Sequence, residues 1–145
     1  MADEIYTLSV PGRPVPKSYS RRHGSLYRPA AVREKEREIG YRFRGKYGLL
    51  LLEGPLFFSL EAHVPDRRHG DLKNYIYLAE DALSRIAYED DRQIKFYLCP
   101  MVKATEEEPK TVIRLGELGL LLSEDGFSEV MEGFVEQRIG KLASM

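Results

Sequence analysis

Four aspartates, Asp66, Asp71, Asp90 and Asp91, stand at the edges of regular sequence patterns rather than inside them. Asp66 and Asp71 precede a helical pattern, and the Asp90-Asp91 pair follows it. Carboxylates placed this way suit a hard cation such as Mg²⁺, which takes oxygen ligands, usually one or two carboxylates completed by water and phosphate oxygens. Phosphodiester hydrolysis uses such ions to activate water and to neutralise charge on the attacking and leaving oxygens. Each acid also has a plain structural use. Asp71 is a favoured helix N-cap, and Asp90-Asp91 suits a polar turn. No glycine-rich phosphate loop, HExxH pattern or nucleophile elbow competes with this reading. His23, His63 and His69 are too scattered for zinc, and the one cysteine, Cys99, excludes a disulfide scaffold.

Charge adds a second signal. The formal net charge of −1 conceals a basic front and an acidic back. Between Arg13 and Lys46 there are eleven Lys/Arg against three Glu, whereas from Ala104 onward there are four Lys/Arg against nine Asp/Glu. A basic segment of this density can neutralise phosphates and release counterions, the first step of nucleic-acid binding. The same segment would also suit a solvated helix face laced with i,i+4 charge pairs through Glu34, Glu36 and Glu38.

The elements that must position these groups follow from periodicity. Ile5 to Val10 alternates as a first strand. Pro11, Pro14 and Pro16 then break regular structure, and Lys17 to Arg28 reads as an exposed loop. Pro29 suits the first turn of a helix that runs to about Gly45, with Val32, Ile39 and Phe43 on one face. Leu56 to Val64 is a strand with one face in the core. Asp71 to Ile86 is the best helix: Leu72, Tyr75, Ile76, Ala79, Ala82, Leu83 and Ile86 share about a third of the wheel. Ile94 to Cys99 and Thr111 to Leu115 supply two more strands. Phe127, Val130, Met131 and Phe134 mark a C-terminal amphipathic helix behind the apolar Leu118 to Leu122. The expected fold is α+β: one small domain with a mixed, mostly antiparallel sheet and helices packed on it. At 145 residues there is little room for a second domain.

The longest apolar run, Leu49 to Leu52, is far short of the ~20 residues of a membrane span. The start is acidic where a signal peptide would be basic, so a cytoplasmic location is expected.

Helix geometry constrains which acids can meet. Asp81 lies ten residues beyond Asp71, about 15 Å along a continuous helix, so the two cannot share one ion. Asp81 therefore suits an anchor for an arginine of the basic loop. Asp91 meets Asp71 only if Ala87 to Asp91 runs back along the helix, or if a second subunit supplies it. Five extended residues reach ~17 Å, which leaves both routes open.

The run Val64-Pro65-Asp66-Arg67-Arg68-His69-Gly70-Asp71-Leu72-Lys73-Asn74, then Glu80-Asp81-Ala82-Leu83 and Glu89-Asp90-Asp91-Arg92-Gln93-Ile94, resembles the RusA family of Holliday-junction resolvases. Pro14-Val15-Pro16-Lys17, Arg21-Arg22 and Tyr27 resemble that family's proline-rich N-terminal loop. The resemblance implies a RusA-like endonuclease domain over residues 1–116 and a helical extension of it over 117–145. It also implies a homodimer that cuts branched, four-way DNA with Mg²⁺, or Mn²⁺ in its place. Asp71 and Asp91 would hold the metal, with Asp90 beside them, and Lys73 would join Asp71 and Asp91 in catalysis. Lys17, Arg21, Arg22, Arg28, Arg67 and Arg68 would grip DNA phosphates. Two positions depart from the family pattern: Lys73 stands where a second aspartate is usual, and Tyr77 where a lysine is usual. A protein that binds branched DNA without cutting it is the alternative these departures imply.

Overall fold

The computed structural model describes residues 4–22, 25–67, 69–122, 125–126, 128–129 and 131–132. Its elements in chain order are β1 (Tyr6–Pro11), β2 (Ser20–Arg22), β3 (Ser25–Tyr27), α1 (Ala30–Tyr47), β4 (Leu56–Val64), α2 (Leu72–Leu83), β5 (Ile94–Tyr97), β6 (Met101–Ala104), β7 (Lys110–Glu117) and α3 (Gly119–Leu122). The fold is α+β, as the pattern of elements predicts.

β4 is the centre of a mixed five-stranded sheet. One edge of β4 pairs antiparallel with β7 from Leu56↔Glu117 to His63↔Lys110, and β7 pairs antiparallel with β1. The other edge carries two short parallel partners in succession, β5 along Leu56–Phe58 and β6 along Glu61–Val64. Between them Leu98 still donates its N–H to the Phe58 carbonyl at 2.9 Å, and Cys99 turns the chain with φ 47° before Pro100. β6 was not expected from the sequence, because Met101 to Ala104 is short, partly exposed and without alternation. β2 and β3 form a separate small hairpin inside the segment read as a loop.

One face of the sheet holds the main core. Leu8 and Val10 of β1, Phe58, Leu60 and Ala62 of β4, and Ile113 and Leu115 of β7 pack under Val32, Ile39 and Phe43 of α1 and Ile76, Ala79 and Leu83 of α2. Each Val, Leu, Ile and Phe side chain among them contributes about 1.5–3 kcal/mol when removed from water. Gly40 lets the two helices approach: a Cβ there would lie 3.1 Å from Ile86 Cδ1 and 3.2 Å from the Ala82 carbonyl oxygen. Gly48, at φ 75°, closes α1 by donating its N–H to the Arg44 carbonyl.

β4 was expected to bury one face, and it buries all nine residues. On the second face Phe57 packs with Leu98 and with Leu121 of α3, joined by Leu118 and Met131. Farther along, Arg114 donates to Glu61 at 2.7 Å. Leu118, Leu121 and Met131 thus cover this face of the sheet. Of the expected C-terminal helix, Phe127, Val130 and Phe134 lie outside the described residues. Among the described residues no helix is long and apolar enough to cross a membrane.

α2 ends at Leu83, short of the expected Ile86, because Arg85 takes φ 68° and the chain reverses. Arg85 N–H donates to the Tyr88 carbonyl at 2.6 Å, and Leu50 and Leu52 N–H donate to the Ile86 and Ala87 carbonyls. Tyr88 is fully buried, and its hydroxyl reaches back to the Glu80 carbonyl at 2.7 Å. The chain therefore returns along the helix. That is the first of the two routes open to Asp91.

Candidate functional site

The returning chain brings Asp91 into a pocket of about 350 Å³ lined by Lys17, Tyr19, Asn74, Tyr77, Glu80, Asp81 and Asp91. Asn74, Tyr77 and Asp81 recur at three- and four-residue steps, so one stripe of α2 forms a wall. The proline-rich loop forms another. Lys17 donates its N–H to the Asn74 carbonyl at 2.8 Å. Gly70 lies so close to the loop that a Cβ would sit 2.8 Å from Pro16 Cβ. The Lys17 ammonium is ion-paired with Asp81 and lies 5.6 Å from the Tyr19 ring centre. Asp81 is thus an anchor for the basic loop, as its distance from Asp71 suggested, but its partner is a lysine rather than an arginine.

Asp91 owes its position to its neighbours in sequence. Residues Asp91–Gln93 form a single 3-10 turn capped by Asp90, whose carboxylate accepts from Arg92 N–H at 2.8 Å. Gln93 staples the turn to the fold. Its Oε1 accepts from Glu89 and Asp90 N–H, both at 3.0 Å, and its Nε2 donates to the Leu52 and Gly54 carbonyls at 2.7 and 3.1 Å. Each such bond contributes about 0.5–1.5 kcal/mol net. Gln93→Leu is therefore expected to destabilise the protein by about 2–4 kcal/mol, read by denaturant unfolding. It should also slow any reaction that uses Asp91. Unchanged stability would show that the staple holds nothing.

The two capping aspartates divide by use. Asp90 spends its carboxylate on Arg92, whose backbone N–H and guanidinium hold it below the ordinary value. Asp71 occupies the N-cap position of α2 but makes no side-chain cap hydrogen bond, and it is exposed. The sequence offers capping as a use for Asp71 and a polar turn for Asp90, yet it is Asp90 whose side chain caps. Asp71 lies one turn before Asn74, which donates its N–H to the Asp71 carbonyl at 2.9 Å. Asp71 is not among the residues that line the pocket.

Electrostatics inside the pocket favour protonation or a cation. Burial, then a hydrogen bond and charge from Asp90, push Asp91 above the ordinary aspartate range. Burial likewise raises Glu80, against the opposing effect of the hydrogen bond it accepts from the Tyr97 hydroxyl. Glu80 is a site residue the sequence reading placed only on the polar side of the wheel. It sits just beyond the apolar arc, next to Ile76 and Leu83. An acid in that border position is the one signal that could have found it.

The remaining expected contacts spread over the surface. Lys73 and Arg67 are exposed, and Lys73 precedes the pocket-lining Tyr77 by one turn of α2. Arg28 lies elsewhere, donating to Glu36 at 2.6 Å. Arg21 and Arg22 belong to β2, but their side chains lie outside the described residues, as does all of Arg68. Among the described residues no group of three or more His, Cys, Asp and Glu side chains is placed to hold an ion unaided. The oxygen donors that line the pocket come from Asp91, Asn74, Glu80 and Asp81, and Asp71 stands one turn before Asn74. That set fits a hard divalent cation of the kind that takes one or two carboxylates and completes its shell with water and phosphate.

A family model described as endodeoxyribonuclease RusA matches residues 11–116. No curated protein matches the chain.

Proposed function

The chain belongs to the RusA endodeoxyribonuclease family, and from that premise we propose a homodimeric, Mg²⁺-dependent enzyme that resolves four-way DNA junctions by paired phosphodiester hydrolysis. The family implies Holliday-junction resolvase activity, binding of branched DNA and a general dependence on divalent metal. The observation that carries the finer reading is Asp91. It is half-buried in a pocket with Lys17 and Asn74, while Asp71, one turn before Asn74, makes no side-chain cap hydrogen bond.

In this reading Asp71 and Asp91 hold the metal, which is Mg²⁺ or Mn²⁺. Asp90, committed to Arg92, acts chiefly by raising Asp91 and is the weakest of the three as a ligand. When bound, the ion supplies Lewis-acid chemistry, acidifying water and offsetting charge on the phosphodiester. Lys73, exposed on α2, contacts the scissile phosphate. Arg21, Arg22, Arg67 and Arg68 bind backbone phosphates, which fix register without reading sequence, while Lys17 and Arg28 reach phosphate only by leaving Asp81 and Glu36. Two symmetric nicks need two identical sites, and a C₂ dimer presents them in that relation.

The test is affinity and stoichiometry together. Binding to a four-way junction is expected to exceed binding to linear duplex, and to fall steeply with salt as counterions are released. Sedimentation should give a dimer. Equal affinity for both DNAs, or a monomer at micromolar concentration with and without DNA, would contradict the proposal. Tyr77 favours a second reading, binding without cutting. It lines the pocket at the position where the family resemblance implies a lysine, and it is 47% exposed.

A further inference from the structure

A second groove, of about 380 Å³, runs between α1 and α2 and shares Asp81 with the acidic pocket as a common wall. Arg33, Arg37 and Arg44 line it from α1, with Tyr41 between them, at steps of four, four and three residues. They therefore form one stripe along the helix, about 16 Å long. Other basic residues of the same segment are committed. Arg28 is held by Glu36, Lys35 and Arg42 share Glu38, and Lys46 donates to the Thr7 carbonyl. The side chains of Arg33, Arg37 and Arg44 have no hydrogen-bond or ion-pair partner among the described residues. The groove's two acids do not neutralise them. One Glu36 oxygen binds Arg28 while the other is buried without a partner, and Asp81 binds Lys17.

Three uncommitted guanidinium groups on one stripe make a recognition surface of definite chemistry. The planar fork of arginine matches phosphate oxygens two at a time, and it stays charged at any working pH. A stripe of about 16 Å faces several phosphates of a DNA strand, whose charges advance ~3.4 Å apiece along the axis. Gly40 keeps the floor between the helices clear, since a side chain there would collide with Ile86. The groove ends where the acidic pocket begins, at Asp81.

We infer that Arg33, Arg37 and Arg44 form a phosphate track in the α1–α2 groove that guides a DNA strand into the acidic pocket beside it. This rests on the proposed action on branched DNA and adds three contacts to it. It also explains why the acidic pocket, which repels phosphate by itself, is approached from a basic side.

The experiment compares the full-length protein with R33Q/R37Q/R44Q and R33K/R37K/R44K, measuring affinity for a labelled four-way junction across a salt series. The glutamine variant is expected to bind about 100-fold more weakly at about 0.1 M salt, and to lose about 2–3 from the slope of log affinity against log salt. The lysine variant keeps that slope while losing part of the affinity, because it retains charge but not the fork. Circular dichroism melts check that the exposed substitutions leave the fold intact. Wild-type affinity and slope in the glutamine variant, with the wild type binding normally, overturn the track alone. So does a change in sedimentation without a change in DNA binding, which assigns the groove to a protein contact. A wild type that binds no junction overturns the proposed function, and the track with it.

Discussion

Asp91→Asn is expected to slow junction cleavage about a thousandfold while leaving junction affinity within a few-fold, since an ion's stabilisation of the transition state amounts to several kcal/mol. The neutral isostere fills the same volume in the pocket and leaves the Gln93 staple and the Asp90 cap in place. What it removes is the half-buried charge that attracts the cation. Asp71→Asn acts in the same direction by the same reasoning. The pH profile gives an independent readout. Asp91 must be ionised to hold metal, and its pKa is raised above the ordinary 3.8 by burial and by Asp90. Cleavage should therefore fall with acidification at a higher pH than an unperturbed aspartate would dictate. Asp90, held low by Arg92, stays charged through that window. Rate measurements at fixed free Mg²⁺ across the series check this. Full activity in Asp91→Asn removes the residue from the site.

Lys73→Ala is expected to cost roughly 10²-fold in cleavage, the scale of one lost electrostatic contact to a reacting group. Lys73→Asp should cost more, because it also adds a negative charge where phosphate approaches. The exposed position of Lys73, outside the residues that line the pocket, supports a contact to DNA rather than to an ion inside it. Mg²⁺ titrations separate the two roles. If Lys73→Asp cuts faster and needs less Mg²⁺ than the wild type, Lys73 sits at a ligand position and its ammonium has been repelling the cation.

Much of this arrangement is legible in the sequence because local patterns carry it. Alternation marks β1, β4 and β7, and the 3.6-residue period marks α1 and α2, since each buries one apolar side against the same core. Asp90-Asp91 is legible as a polar turn before a strand, although not the capping geometry that separates the two acids. What escapes the sequence depends on tertiary contacts. β6 exists because β4 offers a free edge beyond Leu98, not because Met101 to Ala104 has strand character. The second buried face of β4 depends on Leu121, which lies far along the chain from Phe57. Glu80 is buried because Tyr88 and Tyr97 close over it from the returning segment, and no local pattern announces that. The same return decides how Asp91 reaches α2, a matter chain length alone leaves open. Charge density reveals a basic front but not its commitments. Two glutamates, Glu36 and Glu38, neutralise part of it in the structure, and the arginines left over define the groove.

The most direct measurement is cleavage of an end-labelled four-way junction by the purified protein, with Mg²⁺ and with chelator, beside Asp91→Asn. The account predicts Mg²⁺-dependent nicks at symmetric positions on two opposed strands, absent from the chelated reaction and reduced about a thousandfold in Asp91→Asn. A wild type that binds the junction but leaves every strand intact at all Mg²⁺ concentrations would contradict it. So would nicking that continues unchanged in Asp91→Asn.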